Sequence, residues 1–475
     1  MLTNSIARIN FSSKWLLIPL IVLMALTLGI GLLYAEKWTI LIFFVVFVVV
    51  SIFAEPFIGA LFYLICLYAR PMEIIPAVKG MPIMKYLAIG TLGIWLLRII
   101  VSKKRDLVKA PQNYLMIAFI LVMAISMRTY VTGIVDVLTG DFFKIIIIYF
   151  LLINLVNTEK RLYITIWIII LSTLWLSIHS ILLSRGIVIG DIELSQGTRV
   201  TSSGIFGDPN DLAQAIVVAV PFVFNLLFHE RFMLKKIALA VIGATMLFAF
   251  LLTGSRGGFI GLSVVVFLLI RKKAGIIVGA VLSVAALLGL LVFAPGYMVQ
   301  RLETASPYDD TGAARIEIWY EGWQMFMSNP ILGVGMHNFA ENESTGHVAH
   351  NSFVHVAAEL GLPGLFIWMG LLYFSFRSLN EARKQYSVEV IASKAHVLSD
   401  SLIVSMVGFL TTSFFLSRQY EYLPYILIAL SIVVYQVAGK DKGLKPALSM
   451  IELRNVLFIT LAFFVVWFGI LKVFL

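Results

Sequence analysis

Apolar runs about as long as a bilayer is thick recur from Trp15 to the end of the chain, and nothing else limits its possible folds so strongly. A helix needs about 20 such residues to cross the hydrocarbon layer, where every backbone N–H and C=O must find a partner inside the protein. The runs are continuous rather than alternating, so helices, not barrel strands, are expected. Clear runs cover residues 15–35, 84–101, 113–128, 162–183, 211–228, 235–252, 274–293, 398–416 and 453–474. Shorter ones lie at 142–156, 257–270, 362–376 and 421–438. The stretch 38–68 is interrupted at Glu55-Pro56, where proline removes an internal hydrogen bond, and reads as either a tight hairpin or one kinked helix.

The expected fold is therefore all-α: a polytopic transmembrane bundle of about 12–15 spans with one large external loop containing short helices. Three segments follow: 1–293 and 362–475 as the two parts of the bundle, and 294–361 as the loop between them. With 60% hydrophobic and only 13% charged residues, the chain leaves no room for a large soluble domain. The run at 15–35 follows Arg8 and Lys14 and is too long for a cleavable signal, so it reads as a retained anchor.

The formal charge of +10 does not indicate nucleic acid, because Lys and Arg stand in short clusters between apolar runs. Clusters at 103–105, 160–161, 235–236, 271–273, 383–384 and 440–445 all fall on one side of alternating spans, which makes that side cytoplasmic. The opposite side receives the segment 184–210, the turn Thr253-Gly254-Ser255-Arg256 and the long loop. Cys66 is the only cysteine, so an intrachain disulfide and a cysteine metal cluster are excluded. No internal repeat or inverted pair of broken helices points to transport.

Within the loop, Arg315, Trp319 and Trp323 recur at four-residue spacing, the pattern of an amphipathic helix that either lies in the membrane interface or packs on the bundle. An arginine on that apolar face needs a partner. Gly333-Val334-Gly335 lacks the third glycine and the preceding strand of a nucleotide loop and reads as a turn for close backbone approach. Three histidines, His347, His350 and His355, fall within nine positions, and the cluster favours proton transfer. His355 and Glu359 share a helical face, whereas one continuous helix cannot pair His350 with Glu359. These spacings do not form a zinc motif, and Asp309-Asp310 reads as a solvated turn rather than a metal site. Arg256, set among glycines, can present a planar fork to phosphate, with Arg199 as a further candidate; Asp208 or Asn210 reads as a helix cap.

In order along the chain, Arg199 through Asn210, Thr253 through Gly258, Ala314-Arg315 through Trp323, Asn329 through Gly335 and His350-Asn351-Ser352 through Gly361 resemble the bacterial O-antigen ligase and O-antigen polymerase superfamily. The resemblance covers the second half of the chain. It implies a glycosyltransferase of the bacterial inner membrane that moves a glycan from an undecaprenyl diphosphate carrier to a lipid or polysaccharide acceptor at the periplasmic face, with inversion and without metal or other cofactor. It implies Arg256 and Arg315 as diphosphate ligands and His350 as the base that activates the acceptor hydroxyl. Arg199, His355 and Glu359 remain secondary candidates. Partners are then the lipid-linked glycan, the acceptor and membrane lipids, with no nucleic acid. A repeat-unit polymerase of the same superfamily, or a transporter or flippase of lipid-linked sugars, is the alternative.

Overall fold

Helices account for the regular structure of the computed structural model, which describes residues 37–75, 78–102, 107–127, 140–189, 199–202, 206–303, 310–386, 394–439 and 449–474. The run at 15–35, the basic clusters at 103–105 and 440–445, Asp309 and the side chain of Asp310 lie outside the described residues. In chain order the helices are α1 (Lys37–Ala54), α2 (Pro56–Ala69), α3 (Pro71–Ile74), α4 (Ile83–Ser102), α5 (Pro111–Ser126), α6 (Asp141–Leu155), α7 (Glu159–Ser184), α8 (Pro209–His229) and α9 (Met233–Thr253). There follow α10 (Arg256–Ala274), α11 (Ile276–Leu291), α12 (Gly296–Glu303), α13 (Asp310–Ser328), α14 (Phe339–Asn342), α15 (Ser352–Tyr386), α16 (Lys394–Ser413), α17 (Tyr422–Gly439) and α18 (Met450–Phe474). Among the described residues there is no strand.

Seven of these helices, α4, α7, α8, α9, α15, α17 and α18, are long and apolar enough to cross a membrane. Shorter apolar helices stand at Pro56–Ala69, Pro111–Ser126, Phe142–Leu155 and Ile276–Leu291. The all-α polytopic bundle expected from the apolar runs is the fold observed. Its centre is α17, whose residues from Tyr422 to Tyr435 are all buried. A central helix that is apolar all round must have helices on every side.

The 38–68 stretch is a hairpin and not one kinked helix. Phe47 and Phe62 lie eight residues before and seven after Glu55, yet their ring centroids are 6.4 Å apart. At 1.5 Å per residue, a nearly straight helix would hold them about 22 Å apart. Glu55 makes the turn: its carboxylate accepts from Phe57 N at 3.4 Å as the cap of α2 and pairs with Arg161 at 2.8 Å. Arg98 donates to the last carbonyls of α1, Phe53 O and Ala54 O, each at 2.6 Å.

The second break sits inside α15, where Gly361 adopts φ 65 and ψ −164. Pro363 opens the second half of the helix, a position proline tolerates because the first N–H groups of a helix have no internal acceptor. The carbonyls freed by the break are taken up by the turn at 329–335: Val334 N donates to Ala358 O and Gly335 N to Glu359 O, both at 2.9 Å, and Leu362 N donates to Pro330 O at 2.8 Å. Gly333 has φ 63, and a Cβ there would stand 2.2 Å from the Glu359 carbonyl carbon. Close backbone approach is thus the use of this glycine turn.

The indole face of α13 packs on the bundle. Trp323 meets Trp467 of α18 edge to face at 5.0 Å, and Phe326 stacks on Phe464 at 4.6 Å. The polar face carries Glu321, which accepts from Ser344 N at 2.8 Å.

Candidate active site at a junction of helix N-termini

Three helices begin at one end of the bundle, and their first turns are hydrogen-bonded together. Asp208 caps α8 by accepting from Asn210 N at 2.7 Å. Ser255 caps α10, its Oγ accepting from Gly258 N at 3.1 Å. Asn351 caps α15, its Oδ1 accepting from Phe353 N and Val354 N at 2.9 and 3.2 Å. Ser255 Oγ donates to Asn210 Oδ1 at 2.7 Å, which joins α10 to α8. Arg418, in the connection between α16 and α17, forks onto Asp211 of α8, with Nη2 to Oδ2 at 2.7 Å. Its backbone N donates to Ser352 Oγ at 2.9 Å, which joins the same loop to α15. A helix N-terminus carries about half a positive charge, so three together form a favourable place for an anion.

Arginines surround this junction. Arg199 donates from Nε to Thr253 O at 2.9 Å and from Nη2 to Asn210 Oδ1 at 3.0 Å, so it ties the end of α9 to the start of α8. Arg301 reaches Gly254 O at 3.2 Å. Burial, followed by the nearby charge of Arg301 and more weakly that of Arg256, lowers the Arg199 guanidinium from its usual range, against the pull of Asp208 and Tyr297. Arg256 is the first residue of α10, directly after the Ser255 cap. Arg315 lies over the Phe415 ring, 6.0 Å from its centroid. Phe415 in turn lies against α10, where a Cβ on Gly257 would come within 2.7 Å of it. The sequence has thus left space beside Arg256 for the loop that meets Arg315.

His350 stands immediately before the α15 cap with φ 48, a backbone region that side chains rarely occupy. Trp319 of α13 holds the preceding residue, donating from Nε1 to Ala349 O at 2.9 Å. Burial pushes the His350 imidazole down to about 4, helped by the positive charges of Arg315 and Arg418 and opposed by Asp208. His350 is therefore neutral near pH 7 and can take up a proton.

The structure brings Arg199, Arg256, Arg315 and His350 to one end of the bundle. His355 and Glu359 form a separate buried pair, Nε2 to Oε1 at 3.0 Å. Glu359 also accepts from Phe339 N at 3.0 Å and from the Tyr420 hydroxyl at 2.9 Å, so its two oxygens fasten three parts of the loop region together. Among the described residues no three His, Cys, Asp or Glu side chains gather as a metal site.

Sequence reasoning missed Arg301, Arg418 and Asp211. For Arg418 a signal existed: it lies between the runs 398–416 and 421–438, whose far ends carry the basic clusters, so it had to share an end with Arg256. For Asp211 there was none, because its partner lies 207 residues away.

Residues 238–369 match the family model described as O-antigen ligase. This segment contains Arg256, Arg315, His350, His355 and Glu359. The match supports an O-antigen ligase-like family for this part of the chain. No curated protein matches the chain. Together, the O-antigen ligase-like segment and seven helices long and apolar enough to cross a membrane support a multi-pass membrane protein of surface polysaccharide assembly. The junction of α8, α10 and α15 extends beyond the matched segment, since Arg199, Asp208, Asp211 and Arg418 lie outside it.

Proposed function

We propose that this O-antigen ligase-like protein transfers a glycan from an undecaprenyl diphosphate carrier to an acceptor hydroxyl at the periplasmic face of the inner membrane, with inversion and without a metal. The observation that carries this reading is a neutral imidazole, His350, beside arginines gathered at three helix N-termini. The acceptor oxygen attacks the anomeric carbon from the face opposite the diphosphate. The C–O bond to the diphosphate breaks, and its electron pair leaves on the diphosphate oxygen. His350 takes the hydroxyl proton. Arg256 and Arg315 hold the diphosphate and neutralise the charge it gains, a role in which guanidinium forks match phosphate oxygens and bidentate contact adds direction.

The low proton affinity of His350 in the free protein suits this cycle. An anion seated on Arg315 offsets a charge that depresses the imidazole, so His350 becomes a better base when the donor is bound. Arg199 and Arg418 position the starts of α8 and α15 through Asn210, Asp211 and Ser352. The buried His355–Glu359 pair serves as a brace and not as a second acid–base couple, because Glu359 is already engaged by Phe339 and Tyr420. The matched segment supports ligase and repeat-unit polymerase chemistry alike, since both transfer a lipid-linked glycan to a hydroxyl. Against a transporter stands the position of these groups at helix ends instead of near the middle of the spans.

The test is transfer by purified protein in detergent, where there are no two compartments to transport between. His350→Ala is expected to lower the transfer rate by about 10²–10⁴ without altering insertion. His350→Gly, which suits φ 48, is expected to lose as much, which separates chemistry from backbone strain. Transfer by both variants at the wild-type rate would remove His350 from the mechanism.

A further inference from the structure

The loop between α16 and α17 serves two places. Arg418 joins the arginine cluster, and two residues later Tyr420 and Glu421 wall a separate cavity of about 520 Å³. Among the described residues its other charged or imidazole walls are Arg70 at the end of α2, Lys144 in the first turn of α6 and His337 beyond the glycine turn. Among the described residues, three basic or imidazole groups and one carboxylate line it, a set of donors that can receive an anion. Phe142 and Tyr422 add flat apolar walls, the usual lining of a small-molecule site of this size.

Two of the walls are held in costly backbone conformations. The non-glycine residues with positive φ among those described are Arg70 (φ 45), His337 (φ 66) and His350. Such residues concentrate at ligand clamps and reactive positions, and His350 is the proposed base. Among the described residues Arg70 Nε is buried without a hydrogen-bond partner, and Glu73, which pairs with its guanidinium, is 3.8 Å away, beyond hydrogen-bond length. His337 is fixed edge-on against the Tyr420 ring at 5.5 Å. The Tyr420 hydroxyl bonds to Glu359 of α15, and Arg418 N bonds to Ser352 at the start of that helix, so cavity and arginine cluster share one frame.

We infer that this cavity, bounded by Arg70, Lys144 and His337, is a second anion site that takes a phosphate- or carboxylate-bearing sugar, and that it holds the acceptor saccharide. The acceptor role rests on the transfer reaction proposed above; the affinity for an anionic sugar does not. The arginine cluster then serves the donor diphosphate, and the cavity serves the other substrate. A volume of this order accommodates one or two sugar rings.

Ligand-observed NMR on the full-length protein in detergent tests the site with lactose 1-phosphate, lactose and inorganic phosphate as probes. Lactose 1-phosphate is expected to bind at least tenfold more tightly than either of the others. Arg70→Gly and Lys144→Gln are each expected to weaken it at least tenfold. Glycine is at ease at φ 45, so Arg70→Gly removes the guanidinium without straining the chain, and an unchanged unfolding midpoint verifies this. Equal binding of inorganic phosphate would overturn the sugar assignment. Unchanged binding in both variants would place the anion elsewhere and overturn the site, as would displacement of the probe by phosphatidylglycerol in nanodiscs, which assigns the cavity to a lipid headgroup. In the transfer assay, Arg70→Gly is expected to raise the acceptor KM at least tenfold. An unmoved KM with lactose 1-phosphate still bound at Arg70 would overturn the acceptor role alone. Absence of transfer by the wild-type protein would count against the proposed reaction, while the NMR result would still decide the anionic-sugar site.

Discussion

His350 joins a strained backbone, a neutral ring and two positive neighbours in one residue, and each leaves a measurable trace. Its imidazole is pushed down to about 4 by burial and by Arg315 and Arg418. If it is the base, kcat/KM in the acidic range falls only as pH approaches that value. Removing a positive neighbour makes the protonated ring less unfavourable and raises its pKa, so Arg315→Gln is expected to move the acidic limb upward, towards the ordinary histidine value of about 6.5. A limb that stays in place or moves down in the variant counts against the pairing. The same arginine carries a second expectation at a pH where His350 is neutral in both proteins. Arg256→Ala and Arg315→Ala should each weaken carrier binding by about tenfold or more, since a hydrogen bond to a charged group is worth about 1.5–3 kcal/mol. Titration of purified variants with the lipid diphosphate measures this, and unchanged affinity in both would dismiss the clamp.

Residue type alone made some of this legible. Arg256 among glycines, Arg315 on an apolar face and His350 at a helix start are each anomalous locally, and the structure brings all three to one end of the bundle. Arg418 sits between a serine and a glutamine in a short connection and has no local anomaly. Asp211 looks like an ordinary acid in the first turn of a helix, and only the fold reveals that it anchors Arg418.

At the scale of the element, glycine turn and broken helix act as one unit. Gly333 and Gly346 both have positive φ, but a Cβ on Gly333 would strike the Glu359 backbone at 2.2 Å, whereas nothing lies within 4 Å of one on Gly346. Gly346→Ala is expected to cost about 1 kcal/mol, the backbone penalty alone. Gly333→Ala adds a steric conflict with a main chain that cannot rotate away, for roughly 2–4 kcal/mol in all. Thermal unfolding in detergent should rank them in that order, and equal midpoints would mean that turn and helix are not coupled. Periodicity located α13 but could not choose its apolar partner, because a lipid interface and the α18 face ask for the same indoles. Length and proline position likewise left 38–68 open between kink and hairpin until Phe47 and Phe62 were seen to meet.

For the whole molecule, the alternation of basic clusters and loops makes a directional prediction about the membrane. Cys66 is the only native cysteine, so a Cys66→Ser background gives clean single-cysteine labelling. A membrane-impermeant thiol reagent applied to spheroplasts is expected to label Glu341→Cys in the long loop and to spare Lys235→Cys at the start of α9. Both positions are exposed, so access differs only by side. The reverse pattern would invert the topology and place the arginine cluster in the cytoplasm.

The way Gly361 divides α15 also limits what can be exchanged between proteins of this kind. The first half of that helix is closed by backbone from the glycine turn, its brace ends on Tyr420, and α13 rests on indole and phenyl rings of α18. A graft that replaced residues 294–361 alone would bring in a foreign plug without its socket. Chimaeras meant to swap specificity have to carry the 414–421 connection and the last helix with the loop, and a soluble fragment of the loop should not fold by itself.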